Sequence, residues 1–200
     1  DPIAAEDPRH SQRLLQHYSI DNPLMAYHDH SDQRAQQRIE STLAQGGSVA
    51  LISDAGTPLI SDPGYRLVRD MQSMGYAVRP VPGPSAVIAA LSVCGLPTDS
   101  FRFEGFLPAK AGTRANQLQG LQSEHATLVF YEAPHRIVAT LAAMSEVFGP
   151  DREVVLAREI TKTFETVRRG TLEQLLTFVA NDANQQKGEI VLVVAGKPRG

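Results

Sequence analysis

The sequence predicts an α/β protein made of two α/β domains, and three observations support that prediction. Strand-like and helix-like segments alternate along the first half of the chain, the order that gives a parallel sheet with helices on its faces. A stretch rich in Pro, Gly and aromatic residues, 96–112, then interrupts the alternation. A second series of strands and helices follows it. We therefore expect an N-terminal parallel-sheet domain over 1–98 and a C-terminal mixed-sheet domain over 99–200.

The elements of the first domain follow from its apolar periodicity. Helices are expected where apolar residues recur at helical spacing, and strands where short apolar runs stand between turn residues. The predicted elements are a helix over 9–18, a strand at 24–27, a helix over 32–45 capped by Ser31, a strand at 48–53, a helix over 65–74, a strand at 77–81 and a helix over 85–93. The continuous apolar pattern of 48–53 predicts a strand that is buried on both faces.

The second domain differs from the first because two of its strands follow each other directly. Its predicted elements are a helix over 113–121, a strand at 127–131, a helix over 135–148, strands at 153–157 and 164–169, a helix over 171–180 and a strand at 189–195. Strands at 153–157 and 164–169 with no helix between them indicate an antiparallel pair, and hence a mixed sheet. Thr171 and Gln174 have the spacing of a capping box at the start of the last helix.

Three predicted strands end in loops of unusual composition. These loops are SDAGTPLISDPG (53–64), VPGPSA (81–86) and YEAPHR (131–136), and each leads into a helix. Ligands of open parallel sheets bind beyond the carboxyl ends of the strands, where helix N-termini and Gly-rich turns present free backbone N–H groups. Any one such loop is explained equally well as a good turn and cap. Three of them at strand ends favour a ligand cleft.

Several common functional motifs are absent from the sequence. It contains no GxxxxGK[ST], GxGxxG, HExxH or CxxC motif. The segment PGPSAV (82–87) resembles a nucleophile elbow, but Val87 stands where that motif needs Gly. His28, Asp29 and His30 are residues that bind metals, yet neighbours on an extended segment point to opposite sides. We therefore expect no metal site.

The charge of the chain limits its partners. A net charge of −3 argues against a protein that coats nucleic acid without specificity. The segment 158–170 nevertheless holds four basic and two acidic residues, so if a polyanion binds, this is where it is expected. A solvated strand pair of mixed charge explains the same composition. No apolar run reaches the length of a membrane span, and the single cysteine, Cys94, fits a reducing, cytoplasmic setting.

The order of these motifs resembles the tetrapyrrole methylase superfamily over nearly the whole chain. The matching segments are IAAEDPRH (3–10, with Pro8 where Thr is usual), SDAGTPLISDPG, VPGPSA, EGFLPAK (104–110), FYEAPHR (130–136), AREITK (157–162), FETVRRGTL (164–172) and KGEIVLV (187–193). Within the superfamily they are most similar to enzymes that 2′-O-methylate a cytidine of 16S rRNA. A small-molecule methylase acting on a tetrapyrrole and a non-catalytic S-adenosylmethionine (SAM) binding module are the alternatives.

The resemblance implies a fold, a cofactor and partners. It implies two α/β domains of tetrapyrrole methylase type with SAM in the cleft between them, a homodimer, and 16S rRNA or the assembled small ribosomal subunit as substrate. The rRNA-methylating members that the motifs resemble most begin with a strand and a Pro/Gly-rich turn upstream of the first residue here, so the first domain is expected to lack its first strand. They also continue past the KGE strand.

The resemblance also implies the residues of the site. Those expected to bind SAM are Asp54, Gly56, Thr57, Ile60, Ser85, Ala86, Tyr131, Ala157 and Gly188, with Leu59 and Ile60 as an apolar wall. Those expected to act in catalysis, by accepting a proton or stabilising an alkoxide, are Glu132, His135 and Lys162. Those expected to contact RNA phosphates are Arg136, Arg158, Arg168 and Arg169, together with Lys162. Each of the three catalytic candidates also has a purely structural explanation. Glu132 is explained as a carboxylate at a helix terminus, His135 as a histidine in a turn and Lys162 as a surface lysine.

Overall fold

A computed structural model describes residues 1–28 and 33–199 of the chain. The chain divides into two units, each with its own β-sheet. The units are Asp1–Ser85 and Ala86–Gly200. Ser31, the predicted helix cap, lies outside the described residues. Asp29 and His30, two of the three residues weighed above as metal ligands, also lie outside them. Among the described residues, no helix has both the length and the apolar character needed to cross a membrane.

The first unit contains a three-stranded parallel sheet. Its elements are β1 (Ile3–Ala5), α1 (Pro8–His17), β2 (Leu24–Ala26), α2 (Gln33–Ala44), β3 (Ala50–Ile52) and α3 (Tyr65–Ser73). The strand order is β2-β1-β3, with Ala4 opposite Met25 on one side and Leu51 on the other. A core built around Ala4, Met25, Ile39, Leu67 and Met71 joins the sheet to α2 and α3. The predicted parallel arrangement is confirmed for these strands.

Helix α1 begins where local chemistry favours a helix start. The side chain of Asp7 accepts a hydrogen bond from the backbone N–H of Arg9 at 2.9 Å, and Pro8 occupies the first helical position. Proline is favoured there because its missing N–H would have no partner inside the helix. This cap sits directly after β1, so the β1–α1 connection is short.

Two predictions for the first unit are wrong. Residues 77–81 form no strand: Pro80 lacks the N–H that a sheet needs, and Val78 and Val81 are exposed. Without that neighbour, β3 is an edge strand, and its Ala50 is exposed rather than buried on both faces. Strand β1 was not predicted, because three small or aliphatic residues give too short a pattern to read.

The second unit contains a mixed five-stranded sheet. Its elements are α4 (Ala86–Val93), β4 (Phe101–Phe106), α5 (Ala111–Leu121), β5 (Thr127–Glu132), α6 (Ile137–Phe148), β6 (Glu153–Arg158), β7 (Thr166–Thr171), α7 (Leu172–Asn181) and β8 (Ile190–Val194). The strand order is β4-β5-β8-β6-β7, and only the β4–β5 pair is parallel. The antiparallel pair of β6 and β7 and the capping box of Thr171 and Gln174 are confirmed.

The second sheet is covered on both faces. One face packs against α5, α6 and α7 through a large cluster that includes Leu128, Phe130 and Leu141. The other face packs against α4, with Val129 and Val155 in the same cluster as residues of that helix. Alternate residues of β5 therefore enter different clusters, as the period of a strand requires.

Helix α4 explains why the two units divide after residue 85 rather than after residue 98. Its Val87, Ala90 and Leu91 are buried against the second sheet, so the helix belongs to the second unit although its sequence follows the first. The segment 101–106, which we took for part of an inter-domain connection, is the edge strand β4. Its alternation is weak because Gly105 stands at a register shift against β5.

Candidate active site

Two of the predicted ligand loops meet in the first unit. The hydroxyl of Thr57 donates a hydrogen bond to the carbonyl oxygen of Pro84 at 2.8 Å, which ties the 53–64 loop to the 82–85 turn. Gly56 lies beside the same carbonyl and has a φ of 138°, a conformation that side chains rarely adopt. Gly56, Thr57 and Ser85 are thus brought to one place in this unit.

The 53–64 loop is braced from within. The hydroxyl of Ser53 hydrogen-bonds to the carboxylate of Asp62 and accepts the N–H of Ala55 at 3.1 Å. Leu59 and Ser61 both have positive φ values, 72° and 59°. Non-glycine residues in this region cost about 1–3 kcal/mol each and persist only where surrounding contacts hold them. The loop therefore has one imposed shape, as a preformed ligand loop requires.

Leu59 and Ile60 do not form one apolar wall. The side chain of Leu59 packs beside Gly64 together with Leu51 of β3, so tightly that a Cβ at Gly64 would meet both leucine side chains within 2.8 Å. Leu59 therefore anchors the loop to the sheet. Ile60 is 41% exposed and is the member of the pair that is available to a ligand.

The carboxylate of Asp54 is half-buried and partly engaged. Its Oδ1 accepts the backbone N–H of Asp7 at 3.3 Å and the hydroxyl of Ser11 at 3.5 Å, which links the loop to the start of α1. Both bonds are long. In the described part of the chain Oδ2 accepts no hydrogen bond, so Asp54 retains the capacity to bind a polar ligand group.

Three predicted cofactor residues converge at one edge of the second sheet. Tyr131 of β5 and Ala157 of β6 both stand opposite Val191 of β8. Because β8 runs antiparallel to its neighbours, Gly188 precedes it at the edge where β5 and β6 end. Ala86, the remaining one of the nine residues predicted to bind SAM, is exposed at the start of α4.

The surroundings of these residues differ. Tyr131 makes edge-on ring contacts with Phe103 and Phe106, at centroid distances of 4.9 and 5.5 Å. Ala157 is fully buried, in the cluster that packs against α4. Gly188 has a φ of 80° and lies against the side chain of Glu159, whose Cδ would be 2.4 Å from a Cβ at this position. No other residue type fits at 188 without displacing Glu159.

Glu132 is a buried carboxylate that organises the turn after β5. Its side chain is 1% exposed. Oε1 accepts the N–H of Ala133 at 2.7 Å and the guanidinium of Arg136 at 2.8 Å, and Oε2 accepts the hydroxyl of Thr140 at 2.6 Å. These donors hold both oxygens of the side chain in place. Its geometry is that of a positioning residue at the start of α6.

Lys162 lies in a pinned loop between β6 and β7. Its Nζ donates to Glu159 at 2.9 Å and to Glu189 at 2.8 Å. These bonds, first to Glu189 and then to Glu159, raise the pKa of the Lys162 ammonium. The N–H of Glu189, followed by Lys162, lowers the pKa of the Glu159 carboxyl. Because its charged form is stabilised in this way, Lys162 is suited to act as a cation and not as a proton acceptor.

His135 is the remaining catalytic candidate, and it is exposed. It occupies the 3-10 turn Pro134–Arg136, between the end of β5 and the start of α6. Glu132 shapes this turn through its bonds to Ala133 and Arg136. The imidazole is consequently presented from a fixed turn at the edge that also carries Tyr131.

The four predicted RNA-binding arginines are not equivalent. Arg158 is 6% exposed, and its guanidinium donates to Gln185, to the carbonyls of Lys187 and Phe164, and to Thr166. It holds the β6–β7 hairpin together, so its assignment to the RNA surface is wrong.

The other three arginines retain access to solvent in different degrees. Arg136 is 19% exposed and paired with Glu132, whereas Arg169 is about half exposed and pairs with Glu153 at 2.7 Å. The guanidinium of Arg168 lies 3.9 Å from the ring centroid of Phe178. Two of the three, Arg168 and Arg169, border a groove of about 740 Å³ beside α7. The groove is lined by Arg168, Arg169, Glu173, Gln174, Leu175, Thr177, Phe178, Asn181 and Asp182.

Sequence reasoning missed one prominent surface residue. Phe164 is 72% exposed in the loop between β6 and β7. Its carbonyl is held by Arg158 at 2.9 Å, and the N–H of Thr161 donates to Glu165 at 2.6 Å. An aromatic side chain in the middle of a polar hairpin loop was the available signal.

Comparison with known proteins identifies the class. A family model described as tetrapyrrole (corrin/porphyrin) methylases matches residues 1–176, and the chain therefore belongs to this family of methyltransferases. The curated ribosomal RNA small subunit methyltransferase I of Pseudomonas aeruginosa is 58% identical over 194 residues, which is 97% of this chain and 69% of that protein. The protein of that name from Escherichia coli O157:H7 is 50% identical over 98% of this chain and 68% of its own length. The predicted resemblance is confirmed.

Solved structures confirm the fold class. The chain is similar to a cobalt precorrin-4 methyltransferase, CbiF, with a TM-score of 0.69 and 14% identity, over 97% of this chain and 83% of that one. It is also similar to uroporphyrin-III-C-methyltransferase from Thermus thermophilus, with a TM-score of 0.64 and 20% identity, over 97% of this chain and 81% of that one. At these identities the likeness concerns the fold alone.

Proposed function

We propose that this chain is a SAM-dependent methyltransferase that acts on the 2′-hydroxyl of a cytidine in 16S rRNA. The observation that carries the proposal is the 50–58% identity to rRNA small subunit methyltransferases over nearly the whole chain. The tetrapyrrole methylases among the solved structures share the fold at 14–20% identity, which gives no support to a tetrapyrrole substrate. Action on the small ribosomal subunit also implies a cytoplasmic protein, and the family resemblance implies a homodimer.

The residues at the strand ends fit SAM. The open backbone at Gly56, the unengaged Oδ2 of Asp54 and the exposed side chain of Ile60 offer N–H groups, an acceptor and an apolar contact. These match a ligand with an amino-acid group, ribose hydroxyls and a flat base. We assign the same role to Thr57 and Ser85 of the first unit, and to Ala86, Tyr131, Ala157 and Gly188 of the second unit.

The protein's part in the reaction is placement and charge. SAM supplies an activated methyl group, whose carbon–sulfur bond breaks as a bond to the ribose oxygen forms. Holding an acceptor in line with that group can contribute about 7–11 kcal/mol. The ribose hydroxyl must also lose its proton. His135 is the candidate acceptor of that proton, Glu132 fixes the turn that carries His135, and Lys162 is a cation suited to a developing alkoxide.

The proposal is tested in a strain that lacks the gene. Mass spectrometry of nucleosides from its 16S rRNA should show loss of a 2′-O-methylcytidine, and the natural gene should restore it. A gene carrying His135→Ala should restore much less, whereas His17→Ala, an exposed histidine on α1, should restore it fully. An unchanged nucleoside profile in the deletion strain would remove the proposal. Full restoration by His135→Ala would remove only the proton-acceptor assignment.

A further inference from the structure

The N-terminus of α5 is open and lacks a capping side chain. Lys110 precedes the helix with extended backbone, and its side chain makes no capping hydrogen bond. The first intrahelical bond of the N-terminal turn runs from the N–H of Arg114 to the carbonyl of Lys110. The N–H groups of the preceding three residues thus lie in the turn that has no intrahelical acceptors. Those residues are exposed, and the Cα of Gly112 faces open space.

A buried guanidinium lies at the same helix end with an unsatisfied donor. Arg114 is only 7% exposed. Its Nη1 donates to the carbonyl of Ala109 at 3.3 Å, which places the guanidinium at the N-terminal end of the helix. Within the described residues its buried Nε has no hydrogen-bond partner. A buried N–H without an acceptor destabilises a protein, so such a group indicates a missing partner.

The local charge favours an anion as that partner. The helix terminus carries partial positive charge, Arg114 is a cation, and Lys110 adds an exposed ammonium. The carboxylate on the neighbouring strand, Glu104, is engaged by Arg102 and by the amide of Gln117 at 3.1 Å. It therefore does not serve as the acceptor for Nε.

We propose that the segment 109–114, at the start of α5, binds a phosphate group of the RNA substrate. A phosphate offers several acceptor oxygens at once, which matches backbone N–H groups, a guanidinium and an ammonium gathered at a helix N-terminus. The proposal rests on the proposed function, because that function supplies RNA as the ligand. It also assigns a role to the EGFLPAK motif (104–110), which the SAM and catalytic assignments leave unused.

The test uses a substitution that fills the site without disturbing the fold. Gly112→Asp places a carboxylate in the first turn, where space is open and a negative charge favours the helix. Arg114 is unsuitable for this purpose because it is buried. Gln119→Glu, exposed on the same helix, adds the same charge away from the terminus and is the matched control.

Binding of small ribosomal subunits is measured for the full chain and both variants over a range of salt concentrations. We expect Gly112→Asp to melt no lower than the natural protein, to bind subunits more weakly, and to reduce the log–log salt slope by about 1. Gln119→Glu should match the natural protein. Equal weakening by both variants, or no change in either, overturns the proposal.

Two further readouts separate the possible outcomes. Methylation of rRNA by the natural chain, measured in the same preparations, reports the proposed function independently of this site. A titration with inorganic phosphate, followed by the amide NMR signals of Ala111, Gly112 and Thr113, reports anion binding without RNA. Shifts that vanish in Gly112→Asp support the site, and their absence from the natural chain counts against it. Phosphate-induced shifts with an unchanged subunit salt slope identify a site for free anions and overturn the RNA assignment.

Discussion

Asp54 combines a structural contact with a predicted ligand contact, and a pair of substitutions separates the two. Asp54→Ala removes the acceptor proposed for SAM and should weaken SAM binding by about 1–3 kcal/mol, the cost of losing a hydrogen bond to a polar ligand. Ser11→Ala removes one of the two hydrogen bonds that Oδ1 accepts and leaves the carboxylate itself in place. Isothermal titration should show near-natural affinity for Ser11→Ala. Equal affinities for both variants, with both folded, would contradict the assignment of Asp54 to SAM.

Glu132 is expected to contribute mainly to stability. Replacing it with Ala leaves Arg136 and Thr140 without their acceptor in a buried turn. Breaking a buried ion pair from one side costs about 3–5 kcal/mol, and we expect the lower end because Arg136 is 19% exposed. Urea unfolding measures the loss, with Glu146→Ala, exposed on the following helix, as control. A loss as small as that of the control would show that the turn does not depend on Glu132.

The loop between β6 and β7 is an element whose stability should depend on pH. The pKa of Glu159 is lowered from its ordinary value of 4.5 by the N–H of Glu189 and then by Lys162. Its stabilising contribution is therefore complete above 4.5 and is lost as the pH falls through the lower, folded-state pKa. Glu159→Gln should unfold more easily than the natural protein near neutral pH, and the difference should shrink as the pH falls below 4.5.

Unfolding curves at several pH values measure this difference. Glu146→Gln, an exposed carboxyl on α6, is the matched control. A difference between Glu159→Gln and the natural protein that does not shrink anywhere in the acid range below pH 4.5 would show that the carboxylate is not the stabilising form.

Elements with strong local signals were predicted from sequence, and elements held by tertiary contacts were not. Helix α7 was predicted well because Thr171 and Gln174 form a capping box, a local signal for the start of a helix. Residues 77–81 have the apolar character of a strand, but Pro80 and the lack of a paired neighbour override it. Strand β4 exists because Phe101–Phe106 pairs with β5, a partner that no local pattern reveals.

The candidate site shows the same division. Glycine, proline and aspartate marked the ligand loops, and Gly56 and Gly188 do occupy conformations that favour glycine. Residue type did not distinguish Arg158 from Arg168, because burial decides whether a guanidinium braces the fold or faces a partner. Leu59 was misassigned for a similar reason: its direction depends on the positive φ of the loop, not on its apolarity.

At the scale of the whole molecule, binding to RNA must overcome a net charge of −3. We propose that local positively charged surfaces attract the RNA in spite of this net charge. One such surface is formed by Arg168 and Arg169 at the groove beside α7. Arg168→Gln and Arg169→Gln should each reduce the salt slope of subunit binding by about 1 and leave SAM affinity unchanged. Arg13→Gln, exposed on α1, is the control. A slope that none of these changes alters would place the RNA surface elsewhere.

Methyl transfer to a cytidine ribose of small-subunit rRNA is open to an isotope experiment. The purified full chain is incubated with SAM carrying a deuterated methyl group and with small ribosomal subunits from a strain that lacks the gene. The rRNA is then digested to nucleosides and analysed by mass spectrometry. We expect label in 2′-O-methylcytidine and in no base-methylated nucleoside. Label in a methylated base would overturn the assignment of the ribose as methyl acceptor. Active protein that leaves the rRNA unlabelled would overturn the assignment of rRNA as substrate.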